Sequence, residues 1–246
     1  MSLTGKVAVV TGGARGIGRA ISLQLAKDGA AISVWDLDED GAQETGAMIA
    51  RDGGRAIACA GDAASAPAIQ SALARTRAEL GPVTILVNNA GMTGFHPIQD
   101  ITEEMWDRMM RVNLKGPFLC TQASLPDMLA AGWGRIVNIS SSSAQTGSPR
   151  MTHYAASKGG VIGFTKALAM ELAPLGITVN TIPPGFVDTP MLRGAPINVE
   201  TTIAASPMKR IGLPEDIAAA CSYLVSEGAG YVTGQTLSVN GGRYLV

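Results

Sequence analysis

The sequence predicts an α/β fold, a doubly wound parallel sheet with helices on both faces, and two observations carry that prediction. Short β-branched runs alternate with longer stretches of helical spacing along the chain, and glycines close the helical stretches, as in "KDGA" and "ELGP". Strands that follow one another through helices run parallel, because a crossover of that length returns the chain to the same end of the sheet. At 246 residues, with 46% hydrophobic and 16% charged positions, the composition is globular and the chain is long enough for a sizeable core. No linker interrupts the alternation, so residues 1–246 are expected to form a single domain.

The first strand is KVAVV at 6–10, and Ile17, Ala20, Ile21 and Leu25 give the helix after it one apolar face. AISVW at 31–35 and RAIACA at 55–60 are the second and third strands. Ile69, Leu73 and Leu80 mark the next helix, which leads into VTILV at 83–87. Residues 102–131 are long for one helix and contain Pro117 and Pro126, so a kink or break is expected. RIVNI at 135–139, ITVNTI at 177–182 and TLSV at 236–239 bring the sheet to seven strands. The segment from Tyr154 to Leu172 is apolar or small on nearly every side, with Gly159, Gly160 and Gly163 allowing close approach. Such a helix is buried on both sides, which suggests a subunit contact as well as the core. Residues 190–210 have weak periodicity and several turn residues, and are expected to form a substrate flap.

A net charge of −1 gives no basic field for nucleic acid or an anionic membrane, so neither partner is expected. Apolar runs are too short to span a bilayer, and Met1 to Val10 lacks the pattern of a signal peptide, which reads as a cytoplasmic chain. Cys59, Cys120 and Cys221 are odd in number and far apart, arguing against disulfides and a zinc site; no metal is expected. They read as small buried hydrophobes.

"VVTGGARGIGRAI" sets Gly12, Gly16 and Gly18 between a strand and a helix. Glycines there let backbone approach a pyrophosphate and leave amide groups at the positive helix end facing it. The spacing is neither G-x-G-x-x-G nor that of a P-loop, so the strand before and helix after are what give the loop weight. The second strand ends "SVWDLD", and Asp36 lies 18 positions beyond Gly18, where an acid accepts hydrogen bonds from an adenosine ribose. The same carboxylate repels a 2′-phosphate, favouring NAD over NADP, with Arg15 in the loop as a mild counter-signal. A solvated turn is the bland alternative for Asp36, since Asp38, Glu39 and Asp40 follow.

In "NISSSSAQTGSPRMTHYAASK" Tyr154 and Lys158 stand four apart, stacked on one helix face. A phenol titrates at about 10, too high for base chemistry at neutral pH, and a nearby cation favours the phenolate. The lysine is therefore expected to make the tyrosine usable.

"TGGARGIG", "NNAG" at 88–91, "VNISS" at 137–141, "YAASK" at 154–158 and "PPGFVDTP" at 183–190 together resemble the short-chain dehydrogenases/reductases, in order and over essentially the whole chain. That resemblance implies a Rossmann-type fold and an oxidoreductase moving hydride between nicotinamide and a secondary alcohol or ketone. It implies Tyr154 as the proton donor and acceptor, Lys158 as its electrostatic partner, and Ser141 as the donor to the reacting oxygen. A donor of that kind is worth about 3 kcal/mol. Asn113 in "RVNLKG" resembles the family's anchor for a water leading to Lys158. Cofactor contacts implied in the same way are Gly12, Arg15, Gly16, Ile17, Gly18, Asp36, Asp62, Ala63, Asn89, Ala90, Gly91, Tyr154, Lys158, Pro184, Gly185, Val187 and Thr189. Thr93, His96, Ser143, Gln145, Met151, Phe186 and Met191, with Gly94, are expected to line the substrate pocket. His153 reads as wall rather than catalyst.

The ending "TLSVNGGRYLV" resembles the 3-oxoacyl-(acyl-carrier-protein) reductases within the family, making a carrier-protein or CoA thioester the alternative substrate. Against that stand Asp36, since those enzymes usually take NADPH, and Gly132 and Leu175, where they often carry basic residues. From other classes, a silent NAD-sensing or scaffold protein would be expected to lose serine, tyrosine or lysine, and a methyltransferase would not need "YAASK". Similar proteins usually form tetramers, so a homo-oligomer is expected.

Overall fold

The computed structural model describes residues 2–245; Met1 and Val246, the ends of the expected 1–246 unit, lie outside the described residues. One parallel sheet organises the chain. Its strands are β1 (Val7–Thr11), β2 (Ala31–Asp36), β3 (Ala56–Ala60), β4 (Ile85–Asn88), β5 (Gly134–Ile139) and β6 (Ile177–Ile182), in the order β3-β2-β1-β4-β5-β6. The register runs Val10 opposite Val34 and Val87, then Val87 opposite Val137 and Val137 opposite Asn180.

Helices α1 (Gly16–Lys27), α2 (Glu39–Arg51) and α3 (Ala66–Glu79) connect the first four strands. Next come α4 (Glu103–Met110), a π-helical turn over Arg111–Lys115, α5 (Gly116–Ala131), α6 (Ser143–Thr146) and α7 (Thr152–Leu172). After β6 lie α8 (Pro190–Arg193), α9 (Val199–Ala205) and α10 (Pro214–Val225). Alternation along each strand feeds two cores. Ala8, Val10, Ile32 and Val34 pack with Ile21 and Leu25 of α1 and Ile217 of α10. Val7, Val9, Leu86 and Ile136 pack with Leu73 of α3, Cys120 of α5 and Leu172 of α7. Side chains of successive strand residues point to opposite faces, so a sheet covered on both must be apolar at nearly every position.

Among the described residues the sheet has six strands, not the seven expected. TLSV runs beside β6, but joins it only through isolated bridges, Thr181 with Thr236 and Pro184 with Val239. Thr181 exchanges hydrogen bonds with Gln235 and Leu237, both at 2.9 Å, and the Gly185 N–H reaches the Val239 carbonyl at 3.0 Å. Between these points stands Pro183, which has no N–H to give, so the ladder breaks there.

The expected break in 102–131 falls at the π-turn. Pro117 cannot donate to the Asn113 carbonyl four residues earlier, and the wider register absorbs the missing bond. Pro126 sits inside α5 without ending it. Within the single chain α7 is buried along one stripe, through His153, Ser157, Val161, Thr165 and Ala169. Its far side is exposed, Met170 most of all. Residues 190–210 hold two short helices, α8 and α9, capped by Thr189 and Asn198. No helix among the described residues is long and apolar enough to cross a membrane. All three cysteines are free and buried, and burial pushes the Cys120 thiol up to about 12.

Candidate active site

The strand order reverses between β1 and β4, and the loops at their carboxyl ends meet there. Thr11 fastens the two loops. Its Oγ1 accepts the N–H groups of Asn89 and Ala90, each at 3.0 Å, while Asn89 Nδ2 donates to the Thr11 and Gly12 carbonyls, also at 3.0 Å. Glycine is obligatory at two points here. Gly12 has φ of +66° and a Cβ on it would lie 2.9 Å from Ala90 Cα; a Cβ on Gly18 would run into the Gly12 carbonyl oxygen. Helix α1 starts with no side-chain cap and no acid in its first turn, so its leading amides keep their hydrogen-bonding capacity at the positive helix end. A glycine cradle with uncapped amides fits a dinucleotide pyrophosphate.

Asp36 is no free turn residue. Its Oδ2 accepts the Ala14 N–H at 2.9 Å and its Oδ1 that of Asp38 at 3.0 Å, fixing the carboxylate at the rim of the glycine loop. Thr189 Cγ2 would lie 3.3 Å from a Cβ on Gly16, so the segment after β6 meets the loop after β1. Arg15 is exposed and Ile17 half-buried beside them. Asp62 accepts from the Ala64 N–H at 2.8 Å and from Arg111 at 2.7 Å. Burial works to raise its pKa, but Arg111 and the Ala64 amide outweigh it and hold the carboxyl below its usual range. The Ala63 carbonyl is met by the Cys120 thiol at 3.5 Å.

Tyr154 and Lys158 sit one turn apart on α7, facing the serine loop that follows β5. Of the four serines, Ser141 is the one that pulls down the burial-raised pKa of the Tyr154 phenol, and its Oγ accepts the Ser143 N–H at 3.1 Å. Ser140 donates instead to the Lys158 carbonyl at 2.8 Å, and the Ser142 N–H to the Pro184 carbonyl at 2.9 Å. The Lys158 ammonium is buried and donates to the Ile139 carbonyl at 2.9 Å. A Cβ on Gly91 would lie 3.2 Å from Asn113 Oδ1 and 3.3 Å from Lys158 Nζ, so these groups converge on the Asn89–Gly91 loop.

Burial pushes Lys158 down to about 8. It also pushes the Tyr154 phenol up, with Ser141 pulling partly back. The phenol is raised, where the sequence led us to expect a lysine lowering it, because desolvation dominates and the ammonium is turned to Ile139. Asn113, fully buried in the π-turn, grips Met92 and also donates to Ser157 Oγ at 3.0 Å, which in turn donates to the Tyr154 carbonyl at 2.7 Å.

The expected substrate residues divide. Gln145 Nε2 donates to Ser238 Oγ at 3.0 Å, and Met151 is buried at the start of α7. The His96 N–H donates to the Arg150 carbonyl at 2.8 Å, and its ring meets His153 edge-on with centroids 6.0 Å apart. Burial, then His96, lowers the His153 pKa, consistent with a neutral wall residue against Gly94. Thr93 and Gly94 are half-buried on that same strand-end loop, and Met191 is exposed on α8. Phe186 departs from this group. Its ring lies under Arg243, 3.9 Å from guanidinium carbon to centroid, in a separate cavity that includes none of the other expected residues. The backbone at Pro184, Gly185 and Val187 is bridged to Val239 and Gly212.

Sequence reasoning missed Thr11, Ser157, Arg111 and the Ile139 carbonyl. Only Thr11 carried a signal, a small hydroxyl between a buried strand and the first loop glycine.

Residues 6–199 match the profile of the family described as short chain dehydrogenase. Among curated proteins, the chain is 45% identical over 240 residues to nodulation protein G of Azospirillum brasilense, covering 96% of this chain and 97% of that one. It is 41% identical to the 3-oxoacyl-[acyl-carrier-protein] reductase of Vibrio cholerae, over 100% of both chains. To the (3R)-3-hydroxyacyl-CoA dehydrogenase of Canis lupus familiaris it is 40% identical, over 100% of this chain and 98% of that one.

Proposed function

The chain belongs to the short chain dehydrogenase family, a family of oxidoreductases, and we propose that it interconverts a 3-oxoacyl and a 3-hydroxyacyl thioester using NAD(H). The observation that carries the reaction is the convergence of Ser141 on the Tyr154 phenol, whose burial-raised pKa it pulls down, with buried Lys158 one turn further along α7. The thioester follows from the relatives. One is named for a carrier-protein thioester and another for a CoA thioester, and the 3-oxo/3-hydroxy carbon is common to both. A simple secondary alcohol or ketone, the first expectation from sequence, is the second reading; no residue of the site selects it.

When bound, nicotinamide supplies or accepts the hydride. Gly12, Arg15, Gly16, Ile17 and Gly18 would hold the phosphates, Asp36 the adenosine ribose, and Asp62 and Ala63 the adenine end. Asn89, Ala90 and Gly91 would line the middle, with Pro184, Gly185, Val187 and Thr189 at the nicotinamide end. In reduction, Ser141 and Tyr154 donate hydrogen bonds to the carbonyl oxygen, and the Tyr154 proton passes to it as the carbon takes the hydride. A raised phenol pKa suits this direction, because the acid arrives protonated. Lys158, still largely charged at neutral pH, stabilises the phenolate left behind. Asn113 keeps the Met92 segment fixed beside Lys158.

NAD rather than NADP is supported by the anchored Asp36 carboxylate, which a 2′-phosphate would have to approach. Gly132 and Leu175 offer no cation to an acidic carrier, which favours a CoA thioester over a carrier protein. We further read the chain as one domain with residues 190–210 as its substrate flap. A homotetramer is supported by the open face between α4, α5 and α7, where Phe118 and Phe164 stand beside Leu114. Three unpaired buried cysteines suit a reducing, cytoplasmic compartment. Oxidation of NADH and NADPH with acetoacetyl-CoA, and with a panel of simple ketones, tests the proposal. NADH and acetoacetyl-CoA are expected to give the highest kcat/KM; faster turnover of the simple ketones sinks the thioester reading, and faster NADPH oxidation the coenzyme reading.

A further inference from the structure

A cavity of about 760 Å³ lies on the far side of Phe186 from the serine loop, walled by α9, the start of α10 and the C-terminal segment. Neither Ser141, Tyr154, Lys158 nor any glycine of the first loop reaches it. Its size is that of pockets that bury a small organic ligand. Phe186, Met208, Ile211, Ile217 and Val239 make much of the wall apolar.

The charges inside do not cancel. Two guanidinium groups, Arg210 and Arg243, face one carboxylate, Asp216. Arg210 holds both oxygens of that carboxylate, at 2.6 and 3.0 Å, and so consumes it. Arg243 forms no ion pair and no side-chain hydrogen bond among the described residues; it stacks on Phe186, and burial pushes its pKa down. A guanidinium laid flat on an aromatic ring, exposed at the edge of the cavity with its donor edge unspent, can receive an oxyanion. The Ser206 hydroxyl is likewise without a partner among the described residues, and would lie 3.6 Å from a Cβ on Gly241 across the cavity mouth.

We propose that this cavity is a second ligand site, taking an amphipathic organic anion whose apolar body lies on Phe186, Ile211 and Val239 and whose carboxylate or phosphate is held by Arg243. Its walls join α9 to the C-terminal segment, with Gly242 packed on Pro207, so a bound anion ties the two together. The inference is independent of which substrate is reduced at Tyr154.

Titration calorimetry on the full chain with octanoate, octyl phosphate and 1-octanol tests it. Saturable binding of an anion at least tenfold tighter than the alcohol is expected, and the tighter anion identifies the oxyanion. Arg243→Gln should bring that affinity down to the level of the alcohol, and Ala205→Phe, which fills the cavity, should abolish binding of all three. Tyr154→Phe and saturating NADH should leave it unchanged. Equal binding of the alcohol, an unaltered Arg243→Gln, an unaltered Ala205→Phe, no binding at all, or competition with NADH would each overturn the proposal. Should Arg243→Gln fail to fold, the anion-to-alcohol ratio and Ala205→Phe decide alone.

Discussion

Asn113 holds Met92 by both of its main-chain groups, its Oδ1 accepting the Met92 N–H at 2.8 Å and its Nδ2 donating to the Met92 carbonyl at 2.9 Å. An asparagine amide is the shortest side chain that can close such a pair, and at 0% exposure no water replaces it. Asn113→Leu leaves both backbone groups without partners, and each orphaned group costs roughly 1–3 kcal/mol. Urea unfolding should therefore lose about 2–6 kcal/mol of stability, with turnover reduced because the clamp also fixes Gly91 beside Lys158. A midpoint equal to that of the parent would mean that the clamp is dispensable.

Ser141 and Tyr154 separate binding from chemistry. Neither contributes to the glycine cradle, so Ser141→Ala and Tyr154→Phe are expected to keep the dissociation constant for NADH within about threefold. Loss of one oxyanion donor lowers kcat by roughly 10²-fold, and loss of the proton donor should lower it by more. Fluorescence titration beside steady-state rates measures both. A Tyr154→Phe enzyme with near-parental kcat removes the phenol from the reaction.

Gly18→Ala tests the cradle by steric means alone. Its methyl group would meet the Gly12 carbonyl oxygen, a backbone atom that cannot swing aside, so the loop must open. The expected result is a more than tenfold weaker affinity for NADH with a fold that still unfolds cooperatively. Unchanged affinity would show that the dinucleotide does not rest on this turn.

Much of this was legible in the sequence, and what was not has identifiable causes. Strands such as VTILV and AISVW, apolar at four of five positions, read as buried on both faces, and short β-branched runs of this kind made six strands readable. TLSV has the same appearance; its failure as a strand depends on Pro183 in its neighbour, a partner that only the fold supplies. Ser141, Tyr154 and Lys158 are named by motif, but their electrostatics are not. The Ile139 carbonyl that holds Lys158 and the desolvation of both titrating groups arise from tertiary packing. The stacking of Arg243 on Phe186 likewise arises from tertiary packing, since nothing in "NGGRYLV" points to it.

The burial of Lys158 makes a signed prediction about pH. Its pKa falls from 10.5 in an exposed chain to about 8 in the fold, so between those values the unfolded state binds more protons than the native one. Stability from this group therefore rises with pH above 8 and levels off near 10.5; below 8 the fold carries the full burden of a buried cation. Two and a half units amount to about 3 kcal/mol. Lys158→Met, apolar and of similar length, lacks this dependence. The stability of the parent relative to Lys158→Met should climb through that window, and denaturant titrations at pH 7.5, 8.5 and 9.5 measure the slope. Function runs the other way. Above 8 the ammonium is lost and the Tyr154 phenolate loses its partner, so kcat for ketone reduction should fall on that limb in the parent. The limb should be missing from the residual rate of Lys158→Met. A limb kept by the methionine variant would assign the titration to another group.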